Sequence, residues 1–341
     1  MRDVILHVGI HRTGTTFLQK HYFPFLEGVH FVHQEVYSDP PADSTTGLLK
    51  RIVDTNPLFL DLAAEQEALE RSLAPAEQST VVISMEQWFG SLWYGFYNNL
   101  DNSQKFKYLF PEARIILTIR RQDMLLESLY RQILRGYAYP TVDTFLNLAD
   151  GRFLELDQGH RSFPSVSPRT LDFYPYFRNY SSLFGEENVL VLPFERMIQD
   201  PDGFFETLCG FIGTEPYRPD MTQRVHESYS LLSSRIALAL NKFVRVDWRG
   251  PVGLPRFLPH RPLSNYLARQ PGGSRFHHVL EEINERMSLS YLLTNVVDRH
   301  ARAKGNLIDD RTRQLVMDLH RDSNRALDAD LGLGLGQYGY Y

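Results

Sequence analysis

Val4-Ile5-Leu6-His7-Val8-Gly9-Ile10-His11-Arg12-Thr13-Gly14-Thr15-Thr16 is the stretch that decides the fold. Residues 4–8 form a short apolar run, which reads as a strand buried on both faces. The spacing that follows is G-x-x-x-x-G-T-T, and a helical pattern starts at Thr15. A glycine-rich turn between a strand and a helix lets the backbone curl, so that several N–H groups face one point. The positive end of the helix faces the same point, which makes the turn a place for an anion. The spacing is that of a phosphate loop, with Thr15 where a nucleoside triphosphatase has lysine. The loop's side-chain cation is instead Arg12, placed to neutralise a terminal anion. Thr15 and Thr16 offer hydroxyl donors beside it. The missing lysine argues against ordinary handling of β/γ-phosphates.

Outward from this loop, short apolar runs alternate with helical patterns. Residues 29–32, 80–83, 114–119 and 188–192 read as further strands. Residues 15–26, 122–136, 172–184, 202–211 and 231–244 read as helices. This alternation implies an α/β fold built on a parallel sheet. A proline- and glycine-rich stretch, 248–273, has no period and reads as a long loop. Beyond it, 276–300 and 309–329 read as amphipathic helices, and the Gly/Tyr-rich tail 331–341 is expected to fray. The expected organisation is an α/β core over 1–245, with 246–341 as a loop and C-terminal helical cap of the same domain.

The composition is that of an ordinary globular chain: 341 residues, 43% hydrophobic, 23% charged and a net charge of −5. That balance disfavours a nucleic-acid partner but leaves room for a local basic pocket. Arginine outnumbers lysine 30 to 6, a bias that genomic composition and anion binding would both produce. The one cysteine, Cys209, sits in an apolar stretch and reads as a core thiol, which excludes an intrachain disulfide and a cysteine-based metal site. No apolar run approaches the roughly 18–20 residues of a membrane span, and no signal peptide is evident, so a cytoplasmic protein is expected.

A further anion motif lies at the strand ending at Ile119. Arg120 stands at the carboxyl end of that strand, where open α/β sheets take ligands. Ser128 follows eight residues later, about two turns into the next helix. The two motifs together resemble those of sulfotransferases that use 3′-phosphoadenosine 5′-phosphosulfate (PAPS). The glycine loop resembles that family's 5′-phosphosulfate loop, with Arg12 at the position of its lysine. The pair Arg120 and Ser128 resembles its 3′-phosphate site. Residues 189–213, including Pro193-Phe194-Glu195-Arg196, resemble the family's late strand-helix unit, and the likeness spans about residues 3–245.

The resemblance implies a P-loop-like parallel β-sheet flanked by helices, with PAPS as donor and adenosine 3′,5′-bisphosphate as product. It assigns Arg12, Thr13, Gly14, Thr15 and Thr16 to the phosphosulfate end, and Arg120 and Ser128 to the 3′-phosphate. The family also closes over the nucleotide with a glycine-rich basic loop. Gly250-x-x-Gly253-x-x-Arg256 is a partial match that makes Arg256 a candidate, and Gly272-Gly273-Ser274-Arg275 competes with it. No metal is implied.

Transfer to an alcohol needs a base in line with the sulfonate. Glu86 leads, at the carboxyl end of the 80–83 strand, where the family's cytosolic branch has its histidine. Glu35 follows the 29–32 strand, as in heparan-type members; His33 and His11 are the remaining alternatives. The aromatic run Trp88, Phe89, Trp93, Tyr94, Phe96 and Tyr97 reads as core or as an acceptor wall, and Arg131 and Arg135 as acceptor-side cations or surface pairs. A small-molecule, saccharide or lipid acceptor fits. The rival readings are a small-molecule or nucleoside kinase with a degenerate loop, and a non-catalytic binder of PAPS or the bisphosphate.

Overall fold

The structure, a computed structural model, describes residues 3–33, 40–74, 76, 78, 80–136, 138–155, 165–222, 229–241, 245–247, 250–252, 289–300 and 305–341. The chain order is β1 (Asp3–His7), α1 (Thr15–His21), β2 (Val29–His33), α2 (Thr45–Asp54), α3 (Leu62–Leu73), β3 (Thr80–Ser84), α4 (Asn99–Leu109), β4 (Arg114–Ile119) and α5 (Gln122–Arg135). There follow α6 (Val142–Leu146), the short hairpin β5 (Leu148–Ala149) and β6 (Arg152–Phe153), α7 (Phe173–Phe184), β7 (Val189–Pro193), α8 (Phe194–Gln199), α9 (Pro201–Ile212) and α10 (Leu231–Leu240). Another hairpin, β8 (Arg245–Asp247) and β9 (Gly250–Val252), a helical stretch over 289–300 and α11 (Asp310–Leu331) complete it.

The main sheet has five parallel strands in the order β2-β3-β1-β4-β7. Its inner strands β1, β3 and β4 are mostly apolar because both faces are covered, while the edge strand β2 is only partly buried. Leu6, Val81, Ile83, Ile115 and Leu117 point into one core, which takes in residues of α2 to α7, α10 and α11. Ile5, Val82, Ile116 and Leu192 point into the other, against α1 and α9. Burial of each such side chain contributes about 1.5–3 kcal/mol, so the sheet is fixed chiefly by its two apolar faces. The winding reverses at β1, with β2 and β3 on one side and β4 and β7 on the other. The crevice beyond the carboxyl ends of β1 and β4 is therefore the place for a ligand.

The expected strands all form, with ends shifted by no more than one residue. The first helix is shorter than expected and stops at His21. Pro24, which lacks an N–H, instead sits in a 3₁₀ turn over Phe23–Phe25. Most of the expected 276–300 helix and most of the 248–273 loop lie outside the described residues.

The tail does not fray. After Gly332, at φ 62°, a turn over Leu335–Tyr338 folds the chain back toward Arg121 and α8. Leu335 and Tyr340 are fully buried. Asn324 Nδ2 donates to Tyr340 O at 2.9 Å, and Gln122 Nε2 donates to Asn324 Oδ1 at 2.9 Å. Glycines supply the tight turns, and the tyrosine rings between them supply apolar surface to bury.

No helix among the described residues is long and apolar enough to cross a membrane.

Candidate active site

Because the strands run parallel, their carboxyl ends share one edge of the sheet. Glu86 follows β3, the glycine loop follows β1, Arg120 follows β4, and Phe194 and Glu195 follow β7. Four chain segments far apart in sequence thus meet beyond neighbouring strands.

The loop after β1 is built on two left-handed residues, Arg12 at φ 69° and Gly14 at φ 90°. Glycine takes that conformation without penalty, whereas arginine is strained there at about 1–3 kcal/mol. A side chain at Gly14 would also meet Met197 Cε at 2.8 Å, so α8 presses on the loop from outside. Beneath the loop lies a buried polar network. Thr13 Oγ1 donates to Ile10 O at 2.6 Å and pairs with Thr118 Oγ1 at 2.7 Å. His7 Nδ1 bonds Ser84 Oγ at 2.7 Å, and Gln19 Nε2 donates to the same hydroxyl at 3.0 Å. Thr13 and Thr15 are both 1% exposed, and the Thr15 hydroxyl points to Ile10 O at 3.4 Å. Their hydroxyls therefore brace the loop from inside. Thr16 is partly exposed.

Burial pushes the His7 imidazole down to about 3 from its ordinary 6.5, so it is neutral in the folded protein. Between those values the unfolded chain binds a proton that the folded chain does not. Stability should therefore fall as pH drops through this window, by up to about 1.4 kcal/mol per pH unit from this residue, with no contribution above it. His7→Gln should remove that share of the slope in denaturant titrations at pH 4 to 6, taken at about half-unit steps. A slope equal to the parent's would contradict the assignment.

The two anion motifs touch. Arg12 Nε donates to Ser128 Oγ at 2.8 Å, and Arg120 Nη1 donates to Arg12 O at 2.9 Å. Both guanidinium groups are largely buried, which lowers their pKa values without discharging them. Arg12 has Glu86 and Arg135 as charged neighbours; Arg120 has Glu195 and Arg12. The Arg120 guanidinium lies over the Phe194 ring at 4.6 Å, and its Nε is buried with no hydrogen-bond partner.

Glu86 opens a 3₁₀ turn over Glu86–Phe89 and is mostly buried. Its Oε2 lies 3.9 Å from His11 Nε2. Burial lowers the His11 pKa, with Glu86 opposing and Arg12 reinforcing the shift, so His11 is a neutral neighbour at neutral pH. His33 ends β2 at the outer edge of the sheet, stacked on Phe31 with ring centroids 5.2 Å apart. Glu35, Arg256 and the 272–275 candidate lie outside the described residues.

Of the aromatic run, Trp88, Phe89 and Phe96 are core, while Tyr94 and Tyr97 are exposed and meet edge to face. Arg131 is a structural tie, donating to Glu127, to Tyr229 O and to Gly305 O. Arg135 is exposed. Sequence reasoning missed Phe194, Glu195 and Tyr340 as neighbours of Arg120. The alternation of glycine with tyrosine at 336–341 was the available signal, since exposed tails seldom repeat a large aromatic.

The profile of the sulfotransferase family matches residues 5–219, which include the loop after β1, Glu86, Arg120, Ser128 and β7. No curated protein matches the chain. Among solved structures, it is similar to a sulfotransferase from Alicyclobacillus acidocaldarius at 17% identity and a TM-score of 0.44, covering 71% of this chain and 93% of that one. It is also similar to mouse sulfotransferase SULT7A1 complexed with PAP, at 14% identity and a TM-score of 0.41, covering 99% and 88%. A third is the sulfotransferase domain from the curacin biosynthetic pathway, at 15% identity and a TM-score of 0.35, covering 94% and 98%. With well over half of its length matched by the family profile and both anion motifs inside that match, the chain belongs to the sulfotransferase family.

Proposed function

We propose that the protein moves the sulfuryl group of PAPS to an acceptor hydroxyl, or less favourably an amine, by in-line displacement. The observation behind this reading is the join between the two anion motifs, Arg12 to Ser128 and Arg120 to Arg12. Two buried guanidinium groups side by side repel each other, and an anion with two charged ends relieves that repulsion. The orphaned Nε of Arg120 fits the same demand. PAPS, when bound, supplies a sulfuryl group on a good leaving phosphate.

In this reading Arg120 takes the 3′-phosphate. Ser128 accepts from Arg12 and keeps its own hydrogen to donate to the same anion. Thr13, Gly14, Thr15 and Thr16 contribute through the backbone N–H groups of the curled loop and the start of α1, and Thr16 also through its hydroxyl. Arg12 stabilises the charge that grows on the leaving oxygen as the sulfur–oxygen bond breaks. Glu86 takes the acceptor's proton as the new bond forms, with the neutral His11 beside it. The exposed rings of Tyr94 and Tyr97, soon after Glu86 in the chain, suit the face of a sugar or an apolar alcohol.

Arg12→Ala tests the division of labour. Turnover should fall about 10²–10³-fold, the scale of a lost transition-state donor, with less than about tenfold loss of bisphosphate affinity. Steady-state kinetics and calorimetry read the two, and equal losses in both would make Arg12 a general binding residue.

A further inference from the structure

Glu195 is the acidic group that acts most strongly on Arg120, yet its carboxylate is occupied elsewhere. Its Oε1 accepts from the Arg121 N–H at 3.0 Å, and its Oε2 accepts from the Tyr340 hydroxyl at 2.8 Å. Among the described residues, no carboxylate lies within ion-pair distance of Arg120, which is held by Arg12 O and the Phe194 ring. Tyr340 reaches this point because the tail is pinned on both sides of it. Asn324 holds the Tyr340 carbonyl, and Arg121 Nη1 donates to Tyr338 O at 3.3 Å. The phenol is fully buried, and burial beside Glu195 raises its pKa well above the ordinary value, so the hydroxyl remains a donor.

We infer that Tyr340, at the end of the C-terminal tail, is a positioning residue for the anion site. Its hydroxyl holds Glu195 on the Arg121 N–H and keeps that carboxylate from closing onto Arg120. With the hydroxyl gone, Oε2 loses its donor. Glu195 acts on two guanidinium groups, Arg120 and Arg121. The Arg121 fork is taken up by Asp123 and Tyr338 O, which leaves Arg120, with its unpartnered Nε, as the group for Oε2 to turn to. Glu195 would then act as an internal anion in competition with the nucleotide's phosphate. The tail thus sets how open the Arg120 motif is. This rests on the reading of Arg120 as the 3′-phosphate residue.

The test compares two ligands on the full-length protein by calorimetry. Adenosine 3′,5′-bisphosphate carries the 3′-phosphate and adenosine 5′-monophosphate lacks it. Tyr340→Phe keeps the ring and is expected to weaken the bisphosphate about tenfold, with the monophosphate changed less than about twofold. Adding Glu195→Gln, which removes the competing charge, should restore bisphosphate affinity. A merely structural role for Tyr340 would weaken both ligands together and would not be rescued. Unchanged bisphosphate affinity in Tyr340→Phe, parallel loss of both ligands, or no recovery in the double variant would each overturn the inference. Glu195→Gln alone keeps the tail in place and guards against misfolding of the tyrosine variant. It should bind the bisphosphate no less tightly than the parent, and a loss would mean that Glu195 supports Arg120. Arg120→Ala separates the two levels. If it leaves the ratio of the two affinities intact, the 3′-phosphate reading falls; if it collapses the ratio while Tyr340→Phe does not, only the role of Tyr340 falls.

Discussion

Arg120→Ala is expected to weaken adenosine 3′,5′-bisphosphate binding by about 30- to 100-fold, with little effect on adenosine 5′-monophosphate. Loss of a hydrogen bond to a charged group costs about 1.5–3 kcal/mol, and each 1.4 kcal/mol is tenfold in affinity. Arg120 combines a fixed guanidinium plane over Phe194, a buried Nε with no partner, and a position at the carboxyl end of β4. Little reorganisation is then needed on binding, which places the effect toward the upper part of that range. Removing the side chain also frees the Arg12 carbonyl it holds, so a modest fall in Tm should accompany the loss. Calorimetry with the two nucleotides distinguishes the outcomes, since a collapse of the loop would weaken both and loss of the 3′-phosphate contact only one. Unchanged bisphosphate affinity would remove Arg120 from the site.

Glu86→Gln is expected to lower kcat by about 10²–10⁴-fold, the usual contribution of a positioned general base, while bisphosphate affinity stays within about twofold. The amide keeps the size and shape of the carboxylate but cannot take a proton. Glu86 has the placement the role requires: it follows β3 directly, its charge acts on Arg12, and its neighbour His11 is neutral. Those features place a carboxylate next to the cation proposed for the transferring group. Retained kcat would hand the proton transfer to Glu35, His33 or His11. Single-turnover measurements separate this from a change in product release.

The strands were legible because their signal is local. Residues 114–119 form β4 with the bounds read from the sequence, and β1, β2, β3 and β7 shift by no more than one residue at either end. A strand covered on both faces writes itself as an unbroken apolar run. The parallel order then followed from the alternation with helices, and with it the meeting of Arg12, Glu86 and Arg120 at one edge. The short helices before β4 were harder to read. In α4, Lys105 is buried with its ammonium on Ile52 O and Thr55 O, which blurs the apolar stripe that marks a helix. The direct bond from Arg12 to Ser128 spans 116 positions and has no local signature. The same holds for Tyr340 and Glu195, 145 positions apart. The Gly/Tyr-rich composition suggested a frayed tail, because glycine raises the entropic cost of ordering a chain. The buried tyrosines and the Asn324 side chain offset that cost, and their partners are Arg121 and Gln122 at the start of α5 and Glu195 on α8, out of reach of any local pattern. The doubled threonine does open α1 at the end of the glycine loop, but the Thr15 hydroxyl braces that loop from below.

The central claim is sulfuryl transfer from PAPS, and mass-resolved turnover tests it most directly. The full-length protein would be incubated with PAPS and a mixed panel of saccharide, lipid and small-molecule alcohols, without added divalent metal. At least one acceptor is expected to gain a sulfuryl group, with adenosine 3′,5′-bisphosphate released in equal amount and product formation lost in Glu86→Gln. Tight nucleotide binding with no sulfated product across the panel, or metal-dependent consumption of ATP in its place, would contradict it.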